Sequence, residues 1–198
     1  LQSASILGTD TKNIFAGNGS DEVIDLLIRI FVNPGEAVAI MEPTYGMYRV
    51  AAETLGVEVV SCILDNEFQV DLPLLWKNLG PKVKIIFLCS PNNHTGNLMR
   101  LESIREICAR FGGIVVVDEA YVEFASAPSI VKEISNFKNL VVIRTLSKAW
   151  GLAGLRIGYA AANETVVNYL DKIKPPYNIN RVSSILATKA LRNESIMT

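Results

Sequence analysis

Short apolar runs alternate with amphipathic stretches along most of this 198-residue chain. The runs are bounded by turn-forming residues, which is typical of buried strands, and the stretches between them repeat apolar residues at helical spacing. This alternation predicts an α/β fold, a mostly parallel sheet sandwiched by helices. The predicted strands are residues 37–41, 57–64, 83–89, 113–117 and 140–143, and residues 155–161 would pair as a further strand.

Helices are predicted between these strands, and none of the segments repeats another. They cover residues 22–31, 46–56, 71–79, 101–111, 164–172 and 181–191, with a shorter helical piece at 129–135. Residues 13–16 are interpreted only as an apolar approach to the first helix. Residues 1–8 resemble the last turns of a helix that ends at Gly8. Because the first residue is Leu1, we expect the chain to be part of a longer one.

Composition excludes several classes of function. Hydrophobic residues make up 49% and charged residues 20%, as in a folded domain, and the net charge of -1 gives no electrostatic case for nucleic acid or an anionic membrane. No apolar run is long enough to span a membrane. The one histidine, His94, excludes a histidine-based metal site elsewhere, and we expect no metal. Cys62, Cys89 and Cys108 form no CxxC pair, which favours buried reduced thiols in a cytoplasmic protein.

Polar and aromatic side chains follow the carboxyl ends of several predicted strands. Parallel sheets bind their ligands at this edge, so side chains placed there are expected to meet. The residues in question are Tyr45, Asn93, Asp118, Tyr121 and Lys148. Taken singly, each has a plainer interpretation, such as a packing tyrosine or a loop lysine.

Lys148 follows a predicted strand, and hydroxyl and guanidinium side chains stand close to it in the sequence. A lysine that is partly desolvated has a lowered pKa and becomes a usable amine nucleophile. Thr145, Ser147 and Arg156 are suited to hold a phosphate beside it. A lysine imine with a phosphorylated aldehyde is the chemistry of pyridoxal 5'-phosphate. The alternative is a solvated loop lysine, the commonest environment of this residue.

A glycine-rich turn precedes the helix predicted at 22–31. Free N–H groups and the positive end of the helix dipole would make the segment from Gly17 to Asp21 an anion site. The alternative is an ordinary N-cap, with Ser20 or Asn18 capping the helix. This segment alone favours the N-cap.

Asp118 closes the most apolar predicted strand, so its carboxylate is expected to be partly buried and to need a cationic partner. The pyridinium N–H of pyridoxal phosphate is such a partner, and Asn93 and Tyr121 can hydrogen-bond the phenolic oxygen of its ring. A Walker-B acid is the competing interpretation. It needs a GxxxxGK[ST] loop, which the sequence lacks.

Five segments together resemble the large domain of fold-type I pyridoxal phosphate-dependent aminotransferases, which has an aspartate-aminotransferase-like fold. Within that superfamily they most resemble histidinol-phosphate aminotransferases. The segments are residues 17–22, 43–48, 90–96, 118–124 and 145–156.

The resemblance implies a role for each residue. Lys148 forms the imine with the cofactor and moves the proton, Asp118 pairs with the pyridine nitrogen, Tyr121 and Asn93 contact the phenolic oxygen, and Tyr45 stacks on the ring. The resemblance assigns catalysis to Lys148, Asp118 and Tyr121. The residues implied around the phosphate are Gly19, Ser20, Asp21, Thr145, Ser147 and Arg156. The implied reaction exchanges an amino group between histidinol phosphate and 2-oxoglutarate in histidine biosynthesis.

Two departures from the family pattern stand out. His94 occupies a position where the family usually has proline, commonly after a cis bond. The N-terminal arm and the small C-terminal domain, which carries the arginine for the substrate carboxylate, have no matching segment here. Residues 1–198 are therefore expected to be a truncated large domain, inactive alone and part of a homodimer when full length. A phospho-amino-acid decarboxylase, or a non-enzymatic sensor domain of a transcription regulator, are the alternatives.

Overall fold

A computed structural model describes residues 7–193 and confirms the α/β prediction. Within these residues, seven strands form one sheet. They are β1 (Ile14–Asn18), β2 (Ala37–Glu42), β3 (Glu58–Ile63), β4 (Val83–Cys89), β5 (Ile114–Asp118), β6 (Leu140–Thr145) and β7 (Ile157–Ala162). The α-helices are α1 (Ser20–Phe31), α2 (Met47–Thr54), α3 (Leu72–Asn78), α4 (Leu101–Arg110), α5 (Glu164–Ile173) and α6 (Arg181–Leu191).

The strand order is β1-β7-β6-β5-β4-β2-β3, and β7 alone runs against its neighbours. The other strands therefore point the same way, and their carboxyl ends lie at one edge of the sheet. Because β7 is reversed, it begins at the edge where β1 and β6 end: Gly158 pairs with both Gly17 and Thr145. This places the turn before β7 beside the loops that follow the parallel strands.

Apolar side chains fill both faces of the sheet, which is why the central strands are continuously apolar. Successive strand residues point to opposite faces. Val115 and Val117 pack on the layer that contains α3, α4 and α6, while Ile114 and Val116 pack on the layer that contains α1, α2 and α5. Among the helices of residues 7–193, none is both long and apolar enough to cross a membrane.

The structure differs from the sequence predictions in the short elements. Residues 13–16 belong to β1, an edge strand whose alternate residues Ala16 and Asn18 are exposed, so its apolar pattern is weak. The helical piece predicted at 129–135 is a single 3₁₀ turn, Ile130–Glu133, with Ser129 as its N-cap. At the chain start, Leu7 is helical and Gly8 has a φ of 63°, as predicted for a helix end. The rest of that prediction lies outside the described residues.

Candidate functional site

The carboxyl edge of the sheet holds a pocket with about 490 Å³ of empty space, part of it open to solvent. Loops after β1, β2, β4, β5 and β6 and the turn before β7 supply its walls. All the site residues predicted from the sequence line it except Gly19, which lies directly behind Arg156. The lining residues among them are Ser20, Asp21, Tyr45, Asn93, Asp118, Tyr121, Thr145, Ser147, Lys148 and Arg156.

The first turn of α1 forms one end of the pocket. Gly19 occupies the N-cap position with a φ of 83° and no side chain caps the helix, so the interpretation of Ser20 or Asn18 as a capping residue is wrong. Ser20 is instead the first residue of α1. Since the first N–H groups of a helix have no partner within it, this end of the pocket is suited to an anion.

Arg156 brings a positive charge to the same place. A Cβ atom on Gly19 would lie 2.5 Å from its Nη2 atom, so only glycine lets the guanidinium approach the helix start this closely. Gly158 has a comparable role that the sequence reasoning missed: a Cβ there would collide with the backbone nitrogen of Ser20. A glycine inside a strand pattern is the signal that could have identified it.

Two hydroxyl groups lie on the β6 side of the pocket. Thr145 is the last residue of β6, and its buried hydroxyl donates to Ser147 Oγ at 2.9 Å. The backbone N–H of Ser147 in turn donates to Thr145 Oγ1 at 3.1 Å. These bonds fix the turn between the strand and Lys148.

The Asp21 side chain binds two other side chains of the pocket. Its carboxylate accepts a hydrogen bond from Tyr45 at 3.1 Å and one from Arg156 Nη2, also at 3.1 Å. Burial, followed by the charge of Asp21, raises the pKa of Tyr45 to about 12. Since a carboxylate repels an anion, Asp21 can help to bind one only through its backbone N–H, while its side chain orients Tyr45 and Arg156.

The side chain of Lys148 is exposed in the part of the chain that the structure describes. Its Nζ atom lies 5.1 Å from the centroid of the Tyr121 ring, within cation–π range. The lysine follows β6 at the rim of the sheet, where solvent still reaches it. Its amine is therefore free to reach a ligand in the pocket.

Asp118 is 3% exposed at the end of β5. Tyr48 donates its hydroxyl proton to Asp118 Oδ2 at 2.7 Å, and the Ala120 N–H donates to Oδ1 at 2.9 Å. Burial raises the pKa of Asp118 to about 6, although both hydrogen bonds act in the opposite direction. Within residues 7–193 no cation pairs with this carboxylate, since the nearby Arg144 pairs with Glu119 instead.

A buried carboxylate on a pocket wall remains costly without a cationic partner, even when hydrogen bonds meet it, and burial still raises the pKa of Asp118 despite its two donors. A flat ring with a protonated nitrogen would provide that partner, and a phosphate on the same ligand would suit the start of α1 with Arg156. The residues present therefore fit pyridoxal phosphate. No group of three or more metal-ligating side chains occurs in the described part of the chain.

Several side chains that the sequence reasoning did not single out support this pocket. Asp118 is surrounded by Tyr48, Cys89 and Ala120. Cys89 and Ala120 also line the pocket. Asn92 is buried, accepts from Thr44 Oγ1 at 3.0 Å and donates to the Pro43 carbonyl at 2.9 Å. It thereby ties the loop after β2 to the loop after β4. In the sequence, its position next to Asn93 is the feature that could have indicated this role.

His94 is exposed and lies outside this pocket, on a neighbouring cavity that Asn93 and Tyr121 also line. The cis peptide bonds among the described residues are Glu42–Pro43 and Ser90–Pro91, so the bond before His94 is trans. Asn93 nevertheless lines the pocket, with its N–H donating to Cys89 Sγ at 3.4 Å. Histidine in place of proline thus leaves Asn93 on the pocket wall.

Comparisons with known proteins agree with this picture. The family model described as "Aminotransferase class I and II" matches residues 2–198. The histidinol-phosphate aminotransferase of Parabacteroides distasonis is 47% identical over 195 residues, which are 98% of this chain and 56% of that protein. The chain spans about half the length of the curated relatives it matches.

Solved structures show the same fold. The histidinol-phosphate aminotransferase from Sinorhizobium meliloti, in complex with pyridoxal-5'-phosphate, has a TM-score of 0.90 and 27% identity, covering 98% of this chain and 54% of that one. The L-threonine-O-3-phosphate decarboxylase from Porphyromonas gingivalis has a TM-score of 0.85 and 25% identity, covering 100% of this chain and 58% of that one. Both likenesses extend over the sheet and the pocket loops.

Proposed function

Because the chain belongs to the class I and II aminotransferase family, we propose that it forms the cofactor-binding part of a histidinol-phosphate aminotransferase. The observation that carries the proposal is the buried Asp118, which lacks a cation among the described residues and shares its pocket with Lys148 and phosphate-type donors. Members of this family use pyridoxal 5'-phosphate, whose aldehyde bonds amines and whose protonated ring accepts the electrons released at the substrate Cα.

The phosphate end of the cofactor belongs at the start of α1. Ser20 and Asp21 offer backbone N–H groups there, and Arg156 offers a guanidinium. The Gly19 N–H already donates to the Gly17 carbonyl at 2.9 Å, so Gly19 contributes by leaving room for Arg156. The hydroxyls of Thr145 and Ser147 lie on the same pocket. Together these donors would counter the phosphate charge and hold that end of the cofactor.

Side chains from three loops would hold the ring. Asp118 would accept the hydrogen bond of the protonated ring nitrogen and so keep the proton there. Tyr45, held in place by its bond to Asp21, would stack on the ring. Asn93 and Tyr121 would donate to the phenolic oxygen.

Lys148 carries the chemistry. Its amine would hold the cofactor covalently and, once an amino donor had replaced it, would act as the base and acid that moves the proton of the donor Cα. Tyr121, whose ring lies beneath the Lys148 Nζ atom, keeps that amine over the pocket. Lys148 and Asp118 thus perform the proton transfer and the electrostatic support, respectively.

Histidinol phosphate would give its amino group to 2-oxoglutarate, forming imidazole acetol phosphate and glutamate. The 47% identity to the histidinol-phosphate aminotransferase of Parabacteroides distasonis supports the choice of amino donor, and 2-oxoglutarate is our proposal for the acceptor. We further propose that residues 1–198 are a large domain, that an arm and a small domain complete the protein, and that it acts as a cytoplasmic homodimer. Three buried free thiols support a reducing compartment.

An amino-donor screen on the complete protein, supplied with pyridoxal phosphate and 2-oxoglutarate, tests the proposal. Histidinol phosphate should yield glutamate, while O-phosphothreonine should yield neither glutamate nor carbon dioxide. Release of carbon dioxide from O-phosphothreonine would identify a decarboxylase instead. Cofactor binding without turnover of any donor would favour the sensor domain. The chain of residues 1–198 alone should show little transamination, and full activity would contradict the proposed domain organisation.

A further inference from the structure

Tyr48 lies directly beneath the candidate cofactor site and is fully buried in α2. Its ring is parallel to that of Phe87, with centroids 4.8 Å apart and planes 7° apart. The ring of Tyr45 meets it edge-on at 5.5 Å. Because neighbours pack on both the face and the edge of the ring, the position of the hydroxyl group is fixed.

The Tyr48 hydroxyl lies against the Asp118 carboxylate. The Tyr48 hydroxyl donates to Oδ2 at 2.7 Å, and the Ala120 N–H donates to Oδ1 at 2.9 Å. Among the described residues, Tyr48 is the side chain that donates to this carboxylate. Each oxygen therefore holds one fixed hydrogen bond and keeps a lone pair for a ligand in the pocket.

We propose that Tyr48 is a positioning residue for the cofactor, which keeps the Asp118 carboxylate ionised and aimed at the protonated ring nitrogen. The proposal deepens the proposed function and rests on it. Tyr48 does not line the pocket, so it acts through Asp118. A hydrogen bond to a charged group is among the stronger polar interactions inside a protein, so its loss should be measurable.

The charges around Asp118 explain why such a donor is needed. Burial is the largest influence and raises the pKa of Asp118, whereas the hydrogen bonds from Tyr48 and Ala120 lower it. Further groups face the carboxylate from α1, the loop after β2, β4 and its own strand end. They are Asp21, Tyr45, Cys89 and Glu119, and the two acids raise the pKa further. Without the phenol, the carboxyl group would hold its proton to a higher pH and would no longer accept the ring N–H.

The test compares two aldehydes with the complete apo protein: pyridoxal phosphate and its analogue in which a carbon atom replaces the ring nitrogen. Both can bond to Lys148, so the ratio of their dissociation constants isolates the ring nitrogen. Wild-type protein should prefer pyridoxal phosphate, and the preference should fade as the pH falls through the titration of Asp118. In Tyr48→Phe the midpoint should move up by about one pH unit. At a pH below both midpoints, the preference of Tyr48→Phe for pyridoxal phosphate should be about tenfold smaller than that of wild-type protein.

Tyr159→Phe is the matched control, because Tyr159 is equally buried but packs on the other face of the sheet. It should leave the midpoint unchanged. Replacement of Tyr48 by 3-fluorotyrosine keeps the ring and strengthens the donor, so the midpoint should move down, and this variant serves even where Tyr48→Phe fails to fold. An unmoved midpoint in the Tyr48 variants overturns the role of Tyr48. Wild-type protein without any preference between the aldehydes overturns the proposed cofactor as well.

Discussion

Arg144 and Glu119 form a buried ion pair one residue away from the candidate catalytic carboxylate. The Arg144 Nη2 and Glu119 Oε2 atoms are 2.9 Å apart, and the two side chains are 10% and 4% exposed. Glu119 also accepts from the Ile130 N–H at 2.8 Å. The pair therefore joins β6, which leads to Lys148, to the loop after β5, which carries Tyr121.

Removing the negative partner should destabilise the fold strongly. Glu119→Gln keeps the shape of the side chain but leaves the Arg144 charge buried, with Glu123 3.7 Å away as a weaker substitute. We expect a loss of roughly 3 kcal/mol in the free energy of unfolding, measured by urea denaturation. Asp25→Asn, which breaks the exposed pair with Arg29, is the control and should cost about 0.5 kcal/mol or less. Equal losses in the two variants would show that burial of the pair does not matter.

Lys148→Ala should abolish covalent attachment of the cofactor without unfolding the protein, because the side chain is exposed. Borohydride reduction of the wild-type protein with pyridoxal phosphate, followed by peptide mass spectrometry, should place the label on Lys148. Lys172→Ala is the control, since its Nζ atom also lies over a tyrosine ring, that of Tyr169 at 5.4 Å, and is remote from the pocket. Labelling that persists in Lys148→Ala would refute the assignment.

Gly19→Ala should weaken binding of the phosphate group in particular. The new Cβ would strain the backbone at a φ of 83° and displace the Arg156 guanidinium from the start of α1. We expect the preference for pyridoxal phosphate over pyridoxal to fall on the order of tenfold. Gly35→Ala separates the two effects: Gly35 has a φ of 84° with open space around the Cβ position.

Both glycine variants should lose stability through backbone strain, on the order of 1–3 kcal/mol each. The φ of 83° and ψ of 166° at Gly19 lie in a region that is essentially restricted to glycine. Only Gly19→Ala should change the ratio of the two dissociation constants, measured by fluorescence titration. A normal ratio in Gly19→Ala would mean that Arg156 does not help to hold the phosphate.

Asp118→Asn should bind the cofactor better than it turns over substrate, and it should make the apo protein more stable near neutral pH. The folded-state pKa of about 6 lies above the ordinary value of 3.8, so the folded protein binds more protons than the unfolded chain between these values. Stability therefore falls as the pH rises from about 4 to 6 and stays low above it.

The expected gain in Asp118→Asn is of order 2 kcal/mol at pH 7.5 and close to zero at pH 4, from the difference between variant and wild-type unfolding curves. Adding pyridoxal phosphate should stabilise wild-type protein more than the variant and narrow the gap. Equal loss of binding and turnover in Asp118→Asn would indicate a mainly structural carboxylate.

The sequence predicted the sheet and most of the site because both depend on local patterns. Apolar runs mark the buried strands, and the ends of parallel strands must meet at one edge, which is why Asn93, Asp118 and Lys148 were expected together. The edge strand β1 was missed because pairing with β7 defines it, rather than its own apolar pattern.

Contacts that depend on how helices and loops pack were beyond the sequence. Tyr48 and Asp118 stand 70 positions apart, and only the packing of α2 against Phe87 brings them into contact. The choice of Glu119 rather than Asp118 as the partner of Arg144 likewise follows from the direction of side chains at the end of β5. The exposure of Lys148 depends on what covers the sheet edge, which no local pattern encodes.

The reversed direction of β7 has a consequence for folding. Asp21 and Arg156 meet across 135 positions of sequence because β7 inserts between β1 and β6. Closing a chain segment of this length costs loop-closure entropy, which the contacts that close it must offset. The phosphate end of the pocket thus exists only after the first and last parts of the sheet have closed on one another. A ligand that binds there would stabilise the completely folded protein but not partly folded chains.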